Sequence, residues 1–101
     1  MPSESRAYDN SFFDWVDFTA TRSARAVLPY VRDLVKPHSV VDVGCGRGAW
    51  LGVWSSLGIT DMRGLDGDYV DRNRLAMSVD AFEAVDLTKP WDVTRRFDLA
   101  Q

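Results

Sequence analysis

Cysteine and histidine are nearly absent from this chain, and each scarcity excludes something. A single cysteine, Cys45, rules out any disulfide within the 101 residues. With one cysteine and one histidine (His38), no spacing resembles a metal site, so no metal ligand is assigned. No apolar run approaches the ~20 residues that span a bilayer. The first ten residues (MPSESRAYDN) lack a basic stretch followed by an apolar one, so no secretory leader is expected. Basic charge is also scarce: 12 Lys and Arg stand against 15 Asp and Glu, for a net charge of -3. Phosphate contacts need a basic face, so this balance argues against nucleic acid as the main partner. A soluble protein of a reducing compartment, the cytoplasm, is the expectation.

What the chain does have is apolar material for one packed domain, 46% hydrophobic and 12% aromatic. Residues 1–20 form an N-terminal extension or lid, polar and loose over 1–10. Ser11 to Ala20 is then a short helix whose aromatic face (Phe12, Phe13, Trp15, Phe18) covers the core or flanks a substrate pocket. Thr21 to Val35 repeats Ala24, Val27, Leu28, Val31, Leu34 and Val35 at helical spacing. Thr21 or Ser23 is placed to cap that helix, and Pro29 inside it predicts a kink or a split. Lys36 and Pro37 end it.

Ser39 to Val43 is a β-branched run suited to a strand buried on both faces, and Ala49 to Leu57 a helix stopped by Gly58. Met62–Leu65 and Ala81–Val85 are further strands, Val70–Met77 a brief helix, and Phe97–Ala100 opens a fourth strand. Trp91 and Val93 fall in the connector before it. The alternation predicts an α/β fold, a Rossmann-like parallel sheet with flanking helices over residues 21–101.

Between the first strand and its helix lies Asp42-Val43-Gly44-Cys45-Gly46-Arg47-Gly48. Three alternate glycines permit a sharp turn and let a ligand lie against bare backbone. The next helix directs free N–H groups and its positive end into the same space, which favours a carboxylate or phosphate. Asp42 at the strand end disfavours a second anion and suits an ammonium group. S-adenosylmethionine carries both an ammonium and a carboxylate on its amino-acid end, whereas dinucleotides have no such ammonium. Asp66 follows 22 residues after Gly44, at a second strand end where a carboxylate can accept from both ribose hydroxyls. Gly67 beside it allows close approach, although Asp-Gly also makes a plain turn. Asp68 is a solvated neighbour or a helix cap. Asp86 and Leu87 close the third strand, placed either to meet an adenine ring or to cap the turn before Lys89-Pro90.

In the order DVGCGRGAW, GLDGDYV, FEAVDL and FDLA, the chain resembles the cofactor-binding front half of class I S-adenosylmethionine-dependent methyltransferases, of the small-molecule type. The resemblance covers Ser39 to Gln101. It implies S-adenosyl-L-methionine as cofactor, with Asp42, Gly44 and Gly46 lining the methionyl end. Cys45 and Gly48 complete the loop, Asp66 and Gly67 lie at the ribose, and Asp86 and Leu87 at the adenine. It also implies a small-molecule methyl acceptor, and no residue is assigned to catalysis. Cys45 has no paired histidine and is not read as a nucleophile. His38 is read as a surface residue.

Family members continue past the FDLA strand, so the chain is expected to be a fragment, inactive alone and prone to self-association through an unpaired sheet edge. Two other readings stand beside this one. Gly44-x-Gly46-x-x-Ala49 meets a loose dinucleotide fingerprint, which would suit an NAD(P)- or FAD-linked oxidoreductase. A non-catalytic remnant or interaction module would keep the start of the fold without any transfer.

Overall fold

A computed structural model of the chain describes residues 2–92 and 94–101, with backbone only for 2–10. One helix, α1 (Pro2–Val35), opens it, 34 residues long. The expectation of a loose start is therefore corrected: the backbone is helical from Pro2, and no break separates residues 2–20 from 21–35. Thr21 and Ser23 lie inside the helix rather than at a cap. It also continues through Pro29, although proline offers no N–H to the carbonyl four residues back. Leu28 and Val31 on either side pack in the core, and their burial holds the segment helical.

The continuity of α1 decides what its side chains meet. Ala24 and Leu28 are 0% and 2% exposed, and Val31 packs behind them. At 100° per residue, Phe12, Trp15 and Phe18 lie around the other side of the helix, and they are 47%, 63% and 66% exposed. The expectation that these aromatics cover the core is overturned. Val27, Leu34 and Val35 are exposed too, so the buried stripe is narrower than the apolar pattern suggested.

Four strands come next, β1 (Ser39–Val43), β2 (Asp61–Asp66), β3 (Phe82–Ala84) and β4 (Leu99–Ala100), in the order β3-β2-β1-β4. Every pairing is parallel, with Val40 opposite Met62 and Leu99, and Gly64 opposite Phe82. The fold is α/β and Rossmann-like. Between β1 and β2 runs α2 (Ala49–Ser56), which packs on α1 and the sheet. Leu51, Trp54 and Val40 are fully buried there, and with Ala24, Leu28 and Phe82 they form the core on the helical side. Parallel sheets need both faces covered. On the opposite face Val41 and Leu65 are buried, while the β3–β4 connector brings Trp91, Asp92, Thr94 and Arg95 around a 170 Å³ recess with Arg63 and Glu83. Arg95 anchors that connector through two 2.8 Å bonds to Asp61. Val93, read as part of the connector, lies outside the described residues.

The expected helix over Val70–Met77 is replaced by a single 3-10 turn, Arg72–Arg74, capped by Asp71 rather than Asp68. The cause lies underneath. The Ala76 N–H donates to the Arg47 carbonyl at 2.8 Å, and Met77 fills the space where a side chain on Gly48 would go. A helix through these residues would break that seal on the glycine loop.

Candidate functional site

The glycine loop is held against the end of β2 by its own backbone. Gly44 N–H and Cys45 N–H both donate to the Leu65 carbonyl, at 2.7 and 3.1 Å. Gly46 N–H donates to Asp66 Oδ2 at 2.8 Å. Gly44 and Gly46 have φ of 76° and 57°, and a Cβ built on either would meet nothing within 4 Å. Their outer side is open space. Gly48, with φ 80°, is the N-cap of α2, and no side chain caps that helix start. Met77 closes the space where a side chain on Gly48 would go.

Asp42 and Asp66 end adjacent strands and are 8% and 7% exposed. Asp66 is fully engaged: Oδ2 accepts from Gly46, and Oδ1 accepts from Gly67 N–H at 2.8 Å and Tyr69 O–H at 2.6 Å. Asp42 is different. Burial pushes its carboxyl up to about 6, the Gln101 amide draws it down, and the charge of Asp66 raises it further. Among the described residues no cation pairs with it. The Cys45 thiol between them is pushed up to about 12 by burial and by both carboxylates, so it stays protonated and is no nucleophile.

Three depressions run along this edge of the sheet. A 320 Å³ recess is lined by Asp42, Gly44, Cys45, Trp50 and Gln101. A 630 Å³ cleft is lined by Asp66, Gly67, Tyr69, Val85, Asp86 and Leu87, among others. Between them, a 330 Å³ cavity lies under α1, bounded by Phe13, Asp17, Gly46, Arg47, Trp50 and Tyr69. The expected ribose and adenine residues thus share one cleft, and Asp42 with Gly44 and Cys45 shares another. Gly48 lies beneath the loop, buried against Met77. Asp86 is exposed, and its Oδ1 accepts from the Thr88 N–H at 3.0 Å and the Thr88 hydroxyl at 2.5 Å. These bonds hold its carboxyl below the usual carboxylate range and cap the turn that also suited this residue. Leu87 is 40% exposed at the mouth of the cleft. His38 is exposed, with its backbone N–H on Asp98.

Four residues besides the glycines shape the site as strongly as the glycines do: Arg47, Asp14, Asp17 and Tyr69. Arg47, only 11% exposed, reaches α1 through Asp14 at 2.8 Å and Asp17 at 3.2 Å, and its guanidinium lies 5.4 Å from the Phe13 ring centre. These carboxylates raise its pKa above the ordinary arginine value, against the effect of burial. Tyr69 sets its ring against Gly67 and its hydroxyl on Asp66, forming the wall between cleft and cavity. The Asp14/Asp17 spacing on one helix face was the only sequence signal for this clamp, and it had no visible partner.

No family model, curated protein or solved structure matches this chain. Among the described residues no helix is long and apolar enough to cross a membrane.

Proposed function

We propose that the chain is the S-adenosylmethionine-binding part of a methyltransferase that acts on a small-molecule acceptor. The observation that carries this reading is Asp42, a buried carboxylate with no cationic partner among the described residues, opening on a recess beside bare glycine backbone. An isolated buried charge is costly unless something pairs with it. An amino-acid ammonium supplies that pair, and the N–H groups at the start of α2 suit the carboxylate on the same carbon. A dinucleotide would bring its pyrophosphate towards Asp42 instead, like charge to like charge.

When bound, S-adenosylmethionine supplies an electrophilic sulfonium methyl. The chain's own residues orient it and exclude water, and orientation is the main requirement of an in-line displacement. Asp42, Gly44 and Gly46 would hold the methionyl end, Asp66 the ribose, and Val85 to Leu87 the adenine. An ionised carboxylate has about four acceptor positions, and protein donors fill three of them on Asp66. One ribose hydroxyl fits on Oδ2; a second requires the Tyr69 hydroxyl to leave Oδ1. Tyr69 is 76% exposed and free on its outer side to do so.

Calorimetric titration of S-adenosylhomocysteine and NADH in parallel, at pH 7, tests the reading. Binding of S-adenosylhomocysteine, weakened in Asp42→Asn, is the expected result. Binding of NADH without S-adenosylhomocysteine would make this a dinucleotide domain and end the proposal.

A further inference from the structure

The cavity between α1 and the glycine loop shares Gly44 and Gly46 with the cofactor reading, but the rest of its lining has a chemistry which that reading does not use. Phe13, Trp50 and Tyr69 present aromatic rings to it from three different elements, with Val16 and Ala20 along the α1 wall. Its 330 Å³ lies at the small end of ligand pockets, enough for one or two fused rings. The charged residues that line it are Asp17 and Asp71 against Arg47, two carboxylates to one guanidinium, and the ion pairs continue outward through Asp14 and Arg74. Both arginines are already committed to those carboxylates: Arg47 to Asp14 and Asp17, Arg74 to Asp14 at 3.3 Å and Asp71 at 3.5 Å. An anion entering here would meet spent cations and surplus negative charge. A cation would meet the surplus carboxylate and a lining of aromatic rings, both attractive to it.

From this geometry we infer that the cavity is a binding site for a small aromatic amine, the acceptor-side subsite of the proposed methyltransferase. The inference rests on the proposed function for the word acceptor, but the binding chemistry comes from the cavity alone. Position supports the link. Gly44, Cys45 and Trp50 line both this cavity and the Asp42 recess, and Tyr69 lines both this cavity and the Asp66 cleft. An occupant would therefore lie against the same loop as the cofactor, on its α1 side.

The test uses the full chain and three probes with one ring system, tryptamine, indole and indole-3-acetate, titrated at pH 7 by calorimetry and ligand-observed NMR. Tryptamine is expected to bind about tenfold more tightly than indole-3-acetate, with indole between them, from the sign of the rim charge at short range. Asp17→Asn should narrow that gap. Val16→Trp fills the cavity and should abolish tryptamine binding. Phe13→Ala removes a wall at a surface position and should weaken it severalfold, which keeps the test alive if the larger side chain disturbs folding. Thermal melting reports the fold of each variant. Equal affinity for the three probes, a preference for indole-3-acetate, or tryptamine binding that survives Val16→Trp in a folded protein would overturn the inference. Each protein is also titrated with S-adenosylhomocysteine alone. Retained S-adenosylhomocysteine binding without tryptamine binding defeats this pocket only; the reverse result defeats the methyl-donor reading and leaves the aromatic-amine site standing.

Discussion

Asp42 and Asp66 end neighbouring parallel strands, are equally buried, and flank the same glycine loop, yet the chain treats them in opposite ways. Asp66 is held by three protein donors, two of them backbone N–H groups of the turns on either side. Asp42 has the Gln101 amide and, among the described residues, no cation, and its carboxyl rises to about 6. One carboxylate builds the loop; the other is the one that the proposed cofactor's ammonium would pair. A buried acceptor with its donors supplied stabilises a fold, while one short of donors costs stability and favours a ligand.

The largest effect should come from breaking the built side. Asp66→Ala would strip acceptors from Gly46 N–H, Gly67 N–H and Tyr69 O–H at once, and unfold the register between loop and β2. Loss of about 3–5 kcal/mol in chemical denaturation is expected, since each bond to a charged acceptor contributes about 1.5–3 kcal/mol and such losses overlap. A loss under about 1 kcal/mol would mean that Asp66 is as uncommitted as Asp42.

Asp42→Asn should act in the opposite direction. The folded chain holds the Asp42 proton up to about pH 6, while the unfolded chain releases it near 3.8. Stability from this group is therefore full below about pH 4 and is lost as pH rises through about 6. A shift of that size corresponds to about 3 kcal/mol across the window. The asparagine variant should show a flatter profile between pH 4 and 6 and be more stable at pH 7 than the parent, read by denaturant midpoints at each pH. Affinity for S-adenosylhomocysteine should move the other way: weakened in the variant, and in the parent falling roughly tenfold per pH unit below about 6, as the carboxylate that would face the ammonium is neutralised.

These opposite roles are only half visible in the chain. The alternating glycines, the strand before them and the acidic residue closing each of the first two strands are legible from local pattern, because turns and buried parallel strands have strong residue preferences. Which acid is satisfied depends on contacts twenty or more residues apart, such as Gly46 with Asp66 and Gln101 with Asp42, and periodicity carries no such information. Residues 1–20 mislead for a related reason. A dense run of aromatics usually marks a core face, but here the helix passes straight across residue 20, and Ala24 and Leu28, not the aromatics, fix which side is buried. Asp86 suits two roles by sequence; its Oδ1 bonds to Thr88 and its Oδ2 pairing with Lys89 at 3.9 Å make the turn-capping role visible.

A contrast of the same kind separates the two ends of α1. Its later half is anchored by Ala24 and Leu28 in the core, its earlier half by the Arg47 clamp on Asp14 and Asp17. Arg47→Ala should release residues 11–20 while leaving 24–31 protected. Backbone hydrogen exchange over 11–20 should quicken about tenfold, the equivalent of about 1.4 kcal/mol for a partly buried, salt-sensitive cluster. Raising salt in the parent should give a weaker version of the same pattern. Uniform loss of protection along α1 would show instead that the helix is held as one unit.

Tyr69→Phe gives the smallest effect and the finest division between the two acids. It removes one donor from Asp66 and leaves both backbone donors in place, so the loop keeps its bracing. Folding stability should fall by about 1 kcal/mol or less, because Asp66 Oδ1 keeps the Gly67 N–H and water from the cleft can take the place of the lost hydroxyl. The freed position on Oδ1 is then available to a ribose hydroxyl without competition, and affinity for S-adenosylhomocysteine should rise a few-fold by calorimetry. Adenosine should gain by the same factor, while methionine, which would meet only the Asp42 side, should not change. A gain shared by methionine would place Tyr69 on the wrong acid, and no gain for any of the three would mean that Asp66 only builds the loop.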